Sequence, residues 1–213
     1  MSFGKLVTRA GTVLLCLSVV AICLSTCTPL WGQKPPSPPS GRPGPPRLDA
    51  AGLADHMQRM RRQLVESKPN GEEDQILVAE VQRILNKADE RLRTNELIAA
   101  DRLVAASDAF LRASEHSQHL RESPRGPVPR EAEIADHLQH VYFRLQQADY
   151  FARNTGEDAK QLPELARKFY ERALQAYDRR DWRAADEFAK SADDTIRGLE
   201  NLAQAAIPPP RSR

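Results

Sequence analysis

The chain has 213 residues, enough for one or two domains, with 31 basic and 29 acidic side chains and a formal net charge of +2. Seven of the basic residues fall in residues 1–47 and in the last three positions, which carry no Asp or Glu, so residues 48–210 hold 24 basic against 29 acidic residues, a net charge near −5. A body of that sign lacks the clustered basic face that phosphate binding needs, which argues against nucleic acid as a partner. Because Cys16, Cys23 and Cys27 all precede residue 28, the body can form no disulfide, thiolate metal site or cysteine nucleophile.

The amino terminus comes first. Lys5 and Arg9 precede the apolar run Val13–Leu24, and no charge follows until Lys34. A positive start, a short apolar segment and a small-residue exit are the layout of a secretory signal. The run is short for a membrane span, although counting on to Trp31 gives a marginal one. Leu24-Ser25-Thr26-Cys27 resembles a bacterial lipobox, with Thr26 where that motif has a smaller residue. Three readings of residues 1–28 therefore stand: a cleaved signal, lipidation at Cys27, or a retained anchor. All three place the body outside the cytoplasm, in the periplasm or on the cell envelope of a bacterium, with the membrane met through this segment. Residues 29–47 hold eight of the sixteen prolines. Proline fixes φ and removes the backbone donor, so this tract reads as an extended spacer of roughly 40–50 Å.

The remainder reads as all-α. From Leu48 to Ala206 helix formers dominate, and apolar residues recur at intervals of three and four. The expected helices cover about 49–67, 72–94, 96–121, 130–153 and 158–179, with a sixth starting after Asp181. Inward stripes are Leu53, Met57, Met60, Leu64; Leu77, Val81, Ile84, Ala88, Leu92; Leu97, Ala100, Val104, Ser107, Leu111; Ile134, Leu138, Val141, Leu145, Ala148; Leu165, Phe169, Ala173, Ala176; and Trp182, Ala185, Ala189, Ala192, Ile196, Leu199. Thr94 or Asn95 is the expected cap of the third helix and Asp181 of the sixth, and Pro163 is tolerable only in a first turn. Pro69-Asn70-Gly71, Thr155-Gly156 and the prolines at 208–210 mark breaks, and residues 123–129 separate two sets of three helices, 48–122 and 130–207. A tail, 208–213, follows.

The two sets share sequence. Leu53-Ala-Asp-His-Met-Gln58 is echoed by Ile134-Ala-Asp-His-Leu-Gln139, an offset of 81. Gly71-Glu72, Ala88, Ala99-Ala-Asp101, Asp108 and Arg112 return 85 positions later, at Gly156-Glu157, Ala173, Ala184-Ala-Asp186, Asp193 and Arg197. Matches in one order over about 60 residues indicate an internal duplication. Polar residues kept in both copies, such as His56 and His137, point to a structural role performed twice.

Within each set the last two helices follow one spacing: Phe169, Ala173, Trp182, Ala185 and Ala192 in the second, Ile84, Ala88, Leu97, Ala100 and Ser107 in the first. Large residues fill the gap between paired helices and small ones let them approach. Each hairpin thus resembles a tetratricopeptide repeat over about 35 residues. Arg172-Ala173 stands where that family has Leu-Gly, Arg197 stands at its closing proline, and an extra helix separates the copies. The resemblance implies a right-handed helical stack with a groove that binds protein or peptide, and it assigns no ligand residue.

Nine of the twelve aromatic residues lie between Tyr142 and Phe188. Tyr142, Phe143, Tyr150, Tyr170 and Tyr177 exceed what one apolar stripe buries, and tyrosine suits recognition surfaces because it offers area and a hydroxyl at low entropic cost. They are the expected partner-binding residues of a scaffold or adaptor. The alternative is a metal- or small-ligand-binding bundle, in which His116 and His119, or His137 and His140, three apart, share a helix face. No nucleophile elbow, phosphate loop or Glu-x-x-His pattern occurs, so neither an enzyme nor a resident cofactor is expected.

Overall fold

Asp49 accepts a hydrogen bond from the Ala51 backbone N–H and starts α1 (Ala50–Glu66). Five further helices follow: α2 (Glu72–Arg93), α3 (Leu97–His119), α4 (Glu131–Thr155), α5 (Leu162–Asp178) and α6 (Trp182–Ala206). The computed structural model describes residues 49–69, 71–120, 128–155 and 159–207, with no strand among them. The expected signal or anchor at 1–28 with its Cys27 lipidation site, the proline-rich spacer, most of the 123–129 linker and the tail lie outside the described residues. Among the described residues no helix is long and apolar enough to cross a membrane.

Helix ends follow local chemistry. Glu72, Glu73 and Asp74 face the positive end of α2, and Arg91 and Arg93 its negative end. Asp181 accepts from Ala184 N and caps α6, and Pro163 sits in the first turn of α5, both as expected. Thr94 and Asn95 do not cap α3. The Thr94 hydroxyl donates back to the carbonyls of Glu90 and Arg91, and Asn95 takes φ of 59° to end α2, leaving Glu96 at the start of α3 without a side-chain cap bond. In that turn Asn95 N donates to Leu92 O and Glu96 N to Arg91 O. The α5–α6 turn repeats it 85 positions on: Arg180 has φ of 59°, Arg180 N donates to Tyr177 O and Asp181 N to Ala176 O. Both are closures that satisfy the last carbonyls of a helix through a left-handed residue.

Helices α2 and α3 pair, as do α5 and α6, and the two pairs meet through α3 and α6. Helix α6 is the hub, packed on α3, α4 and α5, whereas α1 leans more lightly on α2 and α3. Small residues make the α3–α6 joint close. Ala106, Ala109, Ala113, Ser191, Ala192, Thr195 and Gly198 are all buried. Ser191 Oγ donates to Ala113 O of the opposite helix at 3.0 Å. Phe110 and Phe169 are the largest fully buried side chains, and Met57, Leu77, Ile84, Ile196 and Leu199 complete one continuous core. At the far end, Asp74 in the first turn of α2 is buried and accepts a 2.6 Å bond from Ser117 Oγ, fixing the end of α3.

Candidate functional site

Two faces of α6 carry carboxylates at helical spacing, and each face meets a different neighbour. Toward α4, Asp186 lies 3.5 Å from His137 Nδ1 and 2.7 Å from Lys190 Nζ. Two turns further on, Asp193 accepts from Arg144 at 2.5 Å and lies 4.0 Å from His140 Nε2, and two turns beyond that Glu200 accepts from the same arginine at 3.2 Å. Toward α3, Glu187 meets His116 Nδ1 at 2.8 Å, and Asp194 lies 3.6 Å from His116 Nε2 and 3.5 Å from Arg112 Nε. The four histidines considered as ligands are thus divided between the two faces.

His116 is half-buried, where a histidine in the polar last turn of a helix would ordinarily face water. Burial opposes its charge, but contacts with Asp194 and Glu187 outweigh burial and raise its pKa to about 9. The partners respond in kind. The hydrogen bond from His116 holds Glu187 below the usual carboxylate range, against burial and with help from Lys190. Burial would raise Asp194, yet His116, Arg112 and Arg197 hold it low. Asp186 is likewise lowered against burial by His137 and Lys190, and Lys190 is raised against burial by Asp186 and Glu187.

His119 joins this group from the next turn of α3. Ligand atoms of His116, His119 and Glu187 all lie within 4.8 Å of one another, and the two imidazoles stand edge to face with centroids 6.3 Å apart. Among the described residues His137 and His140 enter no such group of three. Glu187 and Asp194 escaped the sequence reading because their counterparts 85 positions earlier are Arg102 and Ala109, so comparing the copies does not single them out. The signal available was their seven-residue spacing, two turns on one face of α6.

The expected aromatic residues separate in space. Tyr142, Phe143 and Tyr150 project from α4 and are 50%, 57% and 67% exposed. Tyr142 meets Phe143 edge to face at 5.8 Å and Tyr170 of α5 at 6.3 Å. Tyr170 is half-buried, and burial, with Tyr142 beside it, pushes its phenol pKa up. Tyr150 meets Phe151 at 5.9 Å. Tyr177 turns to Trp182 at 5.2 Å, so it belongs to the α5–α6 turn. Between α4 and α5 a cleft of about 440 Å³ is lined by Asp149, Arg153, Lys160, Glu164 and Arg167, where Arg167 bridges Asp149 and Glu164. A second cleft, about 410 Å³, lies where α2 and the start of α3 approach the ends of α4 and α6, with Leu103 and Leu202 beneath Arg83, Lys87 and Arg91.

Comparison of the chain with protein-family profiles, with curated proteins and with solved structures finds no match.

Proposed function

We propose that the protein is an exported or envelope-anchored helical scaffold or adaptor that binds a protein or peptide through the α4–α5 face. The observation that carries this reading is the exposure of Tyr142, Phe143 and Tyr150 on one helix, beside Tyr170 and a charged cleft. Large aromatic rings with a polar rim are the composition of recognition surfaces. The repeat-like hairpins and their likeness to tetratricopeptide repeats support the same class of function, and the signal-like amino terminus and proline spacer support a body held away from a membrane.

The test places a photo-crosslinking residue at Phe143 in the full chain, in its own membranes, with and without Tyr142→Ala and Tyr150→Ala. Tyr177 is left intact because its ring packs on Trp182. The expected result is a defined adduct that disappears in the double variant while helicity is unchanged. An adduct of equal yield in both proteins, or none in either, overturns the reading.

A further inference from the structure

We infer that His116, His119 and Glu187 form a binding site for a divalent transition-metal ion of the zinc class, a staple across the joint between α3 and α6. The site is independent of the aromatic face on α4 and α5.

Three observations carry it. The donors come from two helices that are already locked together, by Gly198 against Phe110 and by Ser191 on the Ala113 carbonyl, so the scaffold beneath the site is rigid. The donor set is two imidazoles and one carboxylate, with ligand atoms within 4.8 Å of one another. A tetrahedral zinc site has bonds of about 2.0–2.2 Å and therefore donors somewhat closer than this. His119 is exposed at the end of α3, so it is the donor with room to turn toward the other two.

The third observation is the surroundings of His116. Its Nδ1 faces Glu187 Oε2 at 2.8 Å, and its Nε2 faces Asp194 Oδ2 at 3.6 Å. A metal that sits between Nδ1 and Glu187 displaces the Nδ1 proton to solvent, and Nε2–H then donates to Asp194. That is the carboxylate–histidine–metal relay which fixes the tautomer and orients a ligating ring. Lys190, 3.1 Å from Glu187, opposes a cation, but it also holds Asp186 at 2.7 Å and keeps that partner when Glu187 turns to the metal. Arg112 and Arg197 stay on Asp194. Two nitrogen donors select zinc, copper or nickel over magnesium and calcium, which prefer oxygen. Solvent completes the coordination on the exposed side.

The experiment is calorimetric titration of zinc into the full chain in detergent, stripped with EDTA and carrying Cys16→Ser, Cys23→Ser and Cys27→Ser so that no thiolate competes. One saturable site of micromolar or tighter affinity is expected, with a rise in melting temperature on loading. His119→Ala and Glu187→Gln should each weaken binding by about tenfold or more, and a His137→Ala/His140→Ala variant should bind as the parent does. His119 is exposed, so its variant keeps the fold, which circular dichroism checks. Absence of saturable binding, affinity unchanged by His119→Ala, or affinity lost in the His137/His140 variant would overturn the assignment.

Discussion

The backbone of Gly198 in α6 packs directly against the ring of Phe110 in α3. A Cβ at residue 198 would stand 2.8 Å from Phe110 Cδ1 and closer still to Cε1 and Cζ. Phe110 is fully buried, so its ring has little room to withdraw. In an ordinary helix interior, replacing Gly by Ala stabilises by about 1 kcal/mol. Here the overlap reverses the sign. Gly198→Ala should destabilise the protein by about 1–3 kcal/mol, the usual range for overpacking a core. Urea denaturation checks it, and Phe110→Leu in the same chain should recover part of the loss, since residues in contact are not additive.

The second prediction concerns pH. His116 has a folded pKa of about 9, above its ordinary value of 6.5, so protonation favours the folded state. The stabilisation is fully present below pH 6.5 and is lost as pH rises from there through about 9. The ring is 22% exposed, and the contribution is up to about 3 kcal/mol. The lowered carboxylates act at the other end. Glu187, Asp194 and Asp186 contribute stability above the ordinary carboxylate range that is lost as pH falls through their depressed values. In EDTA-treated protein, the urea midpoint should fall between pH 6.5 and 9 in the parent and stay nearly level over that interval in His116→Gln. Parallel curves for the two proteins would reject the assignment.

These two contacts were the parts least legible in the sequence. Apolar spacing located each of the six described helices, because burying one stripe of each is what folds this part of the chain. Asp181 and Pro163 declared their positions because a cap and a first-turn proline act locally. Contacts across helices carry no such local mark. Gly198 is a single glycine in a helical run, and nothing adjacent in sequence names Phe110 as its neighbour. The duplication also misleads about pairing. His56 and His137 occupy matching blocks, yet His56 lies 4.0 Å from Asp108 and His137 lies 3.5 Å from Asp186. The match of Asp108 is Asp193, which meets His140 and Arg144 instead. Repeated residues preserve the face of a helix, while the partner opposite depends on how far α1 and α4 slide along their neighbours. Tyr177, a surplus aromatic by the same stripe count, meets Trp182 across the α5–α6 turn at 5.2 Å, a contact that spacing within one helix does not announce.

The attachment of α4 gives a third prediction. Arg144 is 17% exposed and reaches both Asp193 and Glu200 of α6. Removing it leaves Asp193, itself 14% exposed, with His140 and Arg197 at 4.0 and 3.6 Å among the described residues. Breaking a half-buried pair from one side costs more than an exposed pair is worth, so Arg144→Met should destabilise by about 1–2 kcal/mol. Amide exchange should quicken first in α4, with the α2–α3 hairpin unaffected. Arg130→Met, which removes an equally short pair with Glu133 on the open surface, should leave the melting temperature unchanged.

The last prediction comes from the two matching turns. Asn95 and Arg180 both have φ of 59°, the left-handed region. Asparagine tolerates that region because its short polar side chain bonds locally, and glycine enters it freely. Arginine does neither, and its Cβ crowds the following carbonyl by about 1–2 kcal/mol. The strain persists because the turn is set from both sides: Arg180 N donates to Tyr177 O, Asp181 N donates to Ala176 O, and Asp181 must remain where it caps α6. Arg180→Gly relieves the crowding at the expense of some unfolded-state entropy, for a net gain of about 0.5–1 kcal/mol. Asn95→Gly at the matching position should gain less, since asparagine is already suited to the site. Equal melting shifts for the two variants, or a loss at Arg180→Gly, would show that the Arg180 side chain contributes a contact that outweighs its backbone strain.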